Sequence, residues 1–257
     1  MSTHIRSIIY GALFLLPAIL LQASPKQEDL ASGPHLGIGL TRAEGFVAGV
    51  SIDDVVISGA AVLEASRGDE SQMGSEDCIY KQFYPPRDVS VVSVDPTTIQ
   101  AGGFLTTKTK NAETLKFETT IKAVPEKERF LVHASLTPQK DGPWTYPGGF
   151  IISFPIAYLK DKTVKMIDLK GKETVVPVEK AFDQSFFGQT LICPTFGGEI
   201  IFDAEEGSKL TLQDFRSAEN NSIYFRISKV TDVNWKRVQL LTFSDHTEIG
   251  YSVTFRH

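Results

Sequence analysis

Hydrophobic residues in this chain return at every second position over short stretches, with polar residues in the places between. LKFETTIKAV (115–124) is the clearest case, with Leu115, Phe117, Thr119 and Ile121 on one side and charged or polar residues on the other. A period of two marks a strand with one buried face. Comparable runs are FVAGVSI (46–52), DVVISGAAVLEA (54–65), RFLVHASL (129–136), GGFIISF (148–154), TVKMIDL (163–169), GEIIFDA (198–204) and YSVTFRH (251–257). LTLQDFRSAENNSIYFRIS (210–228) reads as a hairpin. Leu210 and Leu212 alternate, the chain turns through SAENN, and Ile223, Phe225 and Ile227 alternate again, with Tyr224 and Arg226 on the other face. Pro85-Pro86, Asp95-Pro96, Gly102-Gly103 and Gly197-Gly198 separate the runs as turn signals. Helical periodicity is confined to PIAYLKD (155–161) and TDVNWKRV (231–238), one turn each. Without helices between strands there are no βαβ crossovers, and no repeat of fixed period is visible. The pattern predicts an all-β chain folded as a single antiparallel multi-stranded β-sandwich.

The N-terminus follows another rule. MSTHIR carries Arg6, and Ile8 to Leu21 is an almost continuous apolar run, short of the roughly 20 residues that span a bilayer. Small residues follow at Ala23 and Ser24. These features describe a secretory signal peptide over 1–24 and predict a secreted or periplasmic protein with no membrane span in the mature chain. PKQEDLASGPH (25–35) reads as a flexible leader, and 36–257 as the sandwich domain. A net charge of −5, with both signs mixed and no basic block beside aromatics, argues against nucleic acid as a partner. The two cysteines, Cys78 and Cys193, form no CxxC motif. An oxidising compartment permits a disulfide between them, and two buried thiols are the alternative.

Chemical motifs are sparse. The histidines make no HxH, HExxH or Cys/His cluster, and GxSxG is absent, so neither a metal nor a cofactor is expected. The acidic loop RGDESQMGSEDC lacks the alternating ligands of a calcium loop and reads first as solvated surface, with a metal site as the alternative. DGPWTYPGG (141–149) is the most binding-like segment. Trp144 and Tyr146 alternate in a stretch stiffened by Pro143 and Pro147, and such rings suit the apolar face of a pyranose. Capping of the sandwich core by Trp144 is the structural alternative. Tyr84 in QFYPPRD is a weaker version of the same idea. At the hairpin turn, Asp214 and Arg216 read first as a bracket that fixes register, and second as a ligand contact. Asp203, Glu205, Glu206 and Asp214, with His133 or His246, are the acids and bases available to an enzyme.

FIISFPIAYLKDKTVKMIDLKGKETVVP, with its strand, proline, irregular stretch and edge hairpin around a Lys-Gly turn, resembles the N-terminal β-sandwich module of large bacterial glycoside-hydrolase-like proteins. LTLQDFRSAENNSIYFRIS is similar to the Q-D-x-R turn and aromatic-x-Arg strand of that module. The likeness covers about Phe150 to Ser228. In those enzymes a catalytic barrel follows the sandwich, and its acids have no counterpart in this sequence. The resemblance therefore implies a non-catalytic accessory role, in carbohydrate binding or in assembly with an envelope protein. A sandwich-type hydrolase, lyase or epimerase is one alternative, and a structural or adhesive envelope protein is another.

Overall fold

The computed structural model describes residues 27–67, 79–82, 84–109, 115–140, 142–214, 221–229, 241–243 and 246–257; at 27–28, 142–147 and 241–243 the description is of the backbone alone. In chain order the strands are β1 (Gln27–Ser32), β2 (Leu36–Thr41), β3 (Val47–Ile52), β4 (Val55–Val56), β5 (Ala61–Arg67), β6 (Ile79–Lys81), β7 (Arg87–Asp95), β8 (Thr98–Thr107), β9 (Leu115–Val124) and β10 (Arg129–Pro138). There follow β11 (Gly142–Pro155), β12 (Thr163–Ile167), β13 (Glu173–Pro177), β14 (Phe186–Gly188), β15 (Thr190–Pro194), β16 (Glu199–Ala204), β17 (Ser208–Gln213), β18 (Ser222–Lys229), β19 (Leu241–Phe243) and β20 (Thr247–Arg256).

All pairings are antiparallel. One sheet runs β1–β2–β3–β5–β11–β18–β17–β14, with β6 sharing the outer edge of β5 and β19 an edge of β11. The other runs β7–β8–β9–β10–β20–β16–β15–β12–β13. β8 also pairs with β6, which joins the two sheets along one side. Their inner faces meet in a single core. Phe150 of β11 packs edge-on against Tyr251 of β20 at 5.1 Å between ring centres, and Phe202 of β16 lies 4.7 Å from Phe225 of β18. The predicted all-β sandwich is thus the observed fold.

The period of two does the sorting. Phe117, Ile121, Phe130, Val132, Phe225 and Ile227 are buried completely, while Lys116, Glu118 and Lys122, which alternate with Phe117 and Ile121, reach solvent. Two departures from expectation have local causes. Gln27–Ser32, assigned by composition to a flexible leader, is strand β1, paired residue for residue with the apolar β2. The DGPWTYPGG segment is no loop. It forms the first half of β11, with register shifts between Trp144 and Tyr146 and between Tyr146 and Gly149. Bulges of this kind accommodate prolines that a regular ladder would reject. PIAYLKD contributes two short 3-10 turns, Ile156–Tyr158 and Lys160–Lys162. TDVNWKRV, residues 1–26 and the acidic loop at 68–78 lie outside the described residues.

Candidate functional site

The outer face of the first sheet is polar, and much of it is buried. Strand β5 shows why this is unusual: Ala61, Leu63 and Ala65 face the core, yet Val62, Glu64 and Ser66 on the opposite side are also buried. Cross-strand register lays this face out in rows. One row passes from Lys209 through Ser228 and Gly149 to Glu64 and Lys81. The next passes from Phe187 through Thr211, Arg226 and Ile151 to Val62. Gln213, Tyr224 and Ser153 make a third.

Glu64 is the electrostatic centre. Its side chain is 8% exposed, Lys81 Nζ stands 2.5 Å from Oε2, and Arg226 Nη2 stands 3.8 Å from Oε1. A carboxylate this deep requires such partners, because an unpaired buried charge is strongly unfavourable. Beside it, polar atoms are left over. Arg226 Nε, Thr211 Oγ1 and Gln213 Oε1 are buried without a hydrogen-bond partner among the described residues. Native proteins satisfy nearly all such atoms, so three on one sheet face need a reason. At the sheet edge, half-exposed Phe187 presents an aromatic ring, with Lys209 Nζ 5.2 Å from its centre. Burial lowers the pKa of that ammonium. A groove of about 710 Å³ opens here, lined in part by Leu169, Lys170, Gln189 and Glu206.

The residues singled out in the sequence are only partly gathered here. Arg226 lies on this face, as its phase with Tyr224 requires, but it turns to Glu64. Asp214, just past β17, accepts a hydrogen bond from the Phe182 N–H at 3.0 Å and so ties down the segment that leads into β14. Asp214→Ala is expected to cost about 1.5–3 kcal/mol, the range for a hydrogen bond to a charged group, read as a lowered Tm. Arg216 and Cys78 lie outside the described residues. Trp144 and Tyr146 belong to β11, whose Gly149 pairs with Glu64; their side chains are outside the description. Tyr84 is half-buried, its N–H donating to the Lys81 carbonyl at 3.1 Å. Cys193 is a free thiol, wholly buried in β15, and burial pushes its pKa up. Asp203 accepts from Thr190 Oγ1 at 2.6 Å in the second sheet, where His133 also sits, so neither shares a face with Glu64. Glu64, Lys81 and Thr211 carry no motif and escape sequence reasoning.

No protein-family model matches the chain, and no curated protein matches it in sequence. Solved structures do. The Slr1438 protein from Synechocystis sp. PCC 6803 superposes with a TM-score of 0.60 at 10% identity, over 90% of this chain and 96% of that one. A galactose mutarotase-like protein from Lactobacillus casei gives 0.59 at 12% identity, over 90% and 100%. A galactose mutarotase related enzyme from Lactobacillus acidophilus gives 0.55 at 9%, over 90% and 98%. The fold is shared with galactose mutarotase-like proteins. Identities this low establish the sandwich and nothing about its chemistry.

Proposed function

We propose that this protein binds carbohydrate on the outer face of its first sheet, as a secreted or periplasmic accessory to glycan degradation. The observation that carries the reading is the set of buried polar atoms lacking partners among the described residues, Thr211 Oγ1, Arg226 Nε and Gln213 Oε1, on the face that holds the Glu64–Lys81 ion pair. A sugar supplies hydroxyls, each both donor and acceptor, to complete such a set, and Phe187 offers an apolar platform at the rim. Lys81, Arg226 and Lys209 outweigh the single carboxylate in these rows, which favours glycans bearing carboxylate or sulfate groups. The compartment rests on the apolar segment Ile8 to Leu21. The resemblance to sandwich modules of glycoside-hydrolase-like proteins, and the fold shared with galactose mutarotase-like proteins, support the carbohydrate class.

Epimerase chemistry is the second reading, favoured by those same neighbours. It needs a positioned acid and base on one substrate. In the rows of this face the one carboxylate, Glu64, is already engaged by Lys81, Asp168 and Glu206 stand apart at the rim of the groove, and His133 lies in the other sheet. Binding without turnover therefore fits better.

Thr211→Val separates structure from function. If the hydroxyl serves only the fold, removing a buried group with no partner leaves Tm unchanged or raises it, and glycan affinity stays put. The expected result on an array of neutral and acidic oligosaccharides is an unchanged Tm with affinity reduced about tenfold, the cost of one hydrogen bond at about 1.4 kcal/mol. Arg226→Ala should abolish binding of the acidic glycans. Full binding by both variants would remove this face from consideration, and sugar turnover by the wild type would promote the epimerase.

A further inference from the structure

A second cluster stands away from the polar sheet face, where three turns and the strand β20 come together. His35 ends the β1–β2 turn, Glu128 occupies the β9–β10 turn, and His257 follows β20. One ligand atom from each lies within 4.8 Å of the other two. We propose that His35, Glu128 and His257 form a binding site for a divalent transition-metal ion of the zinc class, with Asp53 orienting His35 from behind.

The donor set selects the ion. Two imidazoles and one carboxylate suit zinc and its neighbours, whereas calcium and magnesium take oxygen ligands. Asp53 Oδ1 lies 2.7 Å from His35 Nδ1. That bond places the ring proton on Nδ1 and leaves the Nε2 lone pair to ligate, the arrangement in which a carboxylate orients a metal-binding histidine. His257 Nε2 is 3.8 Å from Glu128 Oε2, and the two imidazole rings meet edge-on with centres 4.5 Å apart. Bonds of about 2.0–2.2 Å to a tetrahedral ion bring ligand atoms to roughly 3.3 Å from one another, so the donors close by about 1.5 Å or less. Rotation of the half-exposed His257 side chain supplies much of that movement.

The backbone is built around the carboxylate. Glu128 has left-handed geometry, φ 43°, and Phe255 N–H donates to its carbonyl at 3.0 Å. Gly33, at φ 74°, lies so close that an added Cβ would sit 2.5 Å from Glu128 Cγ and 2.9 Å from Oε1. Only glycine both adopts this turn and leaves the space. Ser32 Oγ bonds the carbonyl and N–H of Arg129, locking the two turns together. Glu128 Oε1 is nevertheless buried without a hydrogen-bond partner. A cation completes that oxygen. Three protein ligands leave one position facing solvent, beside rings whose side chains are 32% and 62% exposed. The sequence hides the site because its two histidines come from residues 35 and 257, at no motif spacing.

The test is calorimetric titration of the chelator-stripped full chain with zinc chloride, and separately with calcium chloride, alongside thermal melts. Zinc is expected to bind one-to-one at micromolar Kd or tighter and to raise Tm. His35→Ala, Glu128→Gln and His257→Ala should each weaken binding at least tenfold, with a circular dichroism spectrum like the wild type. Asp53→Asn, which ligates nothing, should cost ten- to a hundredfold. With cobalt(II) in place of zinc, d–d absorption should appear in the wild type and vanish in His257→Ala. Absence of zinc binding, equal preference for calcium, or zinc binding that survives all three ligand substitutions would overturn the assignment.

Discussion

Phe225→Ala is expected to lower stability by about 3–5 kcal/mol, the range for truncating a fully buried phenylalanine. The size follows from its position. Phe225 is 0% exposed, sits at the middle of β18, pairs with Leu212 and Ile152, and meets Phe202 of the opposite sheet at 4.7 Å. Alanine removes the ring that links the two sheets, and neighbours on both sides are held by ladder hydrogen bonds, so the cavity collapses only in part. Urea unfolding of the full chain measures the effect as a shift in midpoint at unchanged slope. The comparison that matters is with the adjacent residue. Arg226→Ala changes the outer face of the same strand and should leave most stability in place while removing glycan binding. A loss of several kcal/mol from Arg226→Ala and little from Phe225→Ala would mean that β18 is paired one residue out of register.

That comparison also shows what the chain spells out. In β9 and β18 the alternation alone locates the strand, its core residues and its polar side, because each strand has one dry face and one wetter one. The code fails where this condition fails. QEDLAS has no apolar alternation, yet it becomes β1 because β2 offers it a full ladder of partners. The first half of β11 carries Pro143, Pro147 and a glycine at φ 121° and reads as a loop, since bulges let a strand absorb residues that propensity rejects. Partnership across the sheet is a tertiary fact, and composition does not record it.

The candidate site was legible in smaller part. The phase of Arg226 opposite Phe225 follows from the hairpin pattern. Its partner Glu64 does not, because VLEAS looks like any strand with a polar residue turned to water. Burial of that outer face is a property of the folded sheet, which the local pattern does not record. The Asp214–Arg216 bracket drew attention for its charge pair; the structure shows Asp214 accepting from the Phe182 N–H, and Arg216 lies outside the described residues. Trp144 and Tyr146 turn out to share a strand with the site, a relation that loop composition concealed.

Glu64 and Lys81 supply the second large effect. Glu64→Ala is expected to cost about 2–4 kcal/mol, somewhat under the 3–5 kcal/mol typical of breaking a wholly buried pair. The reduction reflects the partners: Lys81 and Arg226 are 28% and 33% exposed in their side chains, so water can take up part of the released charge. Lys81→Met should cost less than Glu64→Ala, since Arg226 remains as a counter-charge. The double variant Glu64→Ala/Lys81→Met should then be more stable than the sum of the single changes predicts, by at least 1 kcal/mol, because neither charge is left behind. Additivity within about 0.5 kcal/mol would mean the 2.5 Å contact contributes nothing. Glycan affinity adds a separate readout. Glu64→Gln keeps the shape but loses the charge that holds Arg226 in its row, so acidic glycans should be bound more weakly through misplacement of the guanidinium. Were Glu64→Gln instead to tighten them, the carboxylate would be acting as a repulsive gate, and selectivity rather than positioning would be its role.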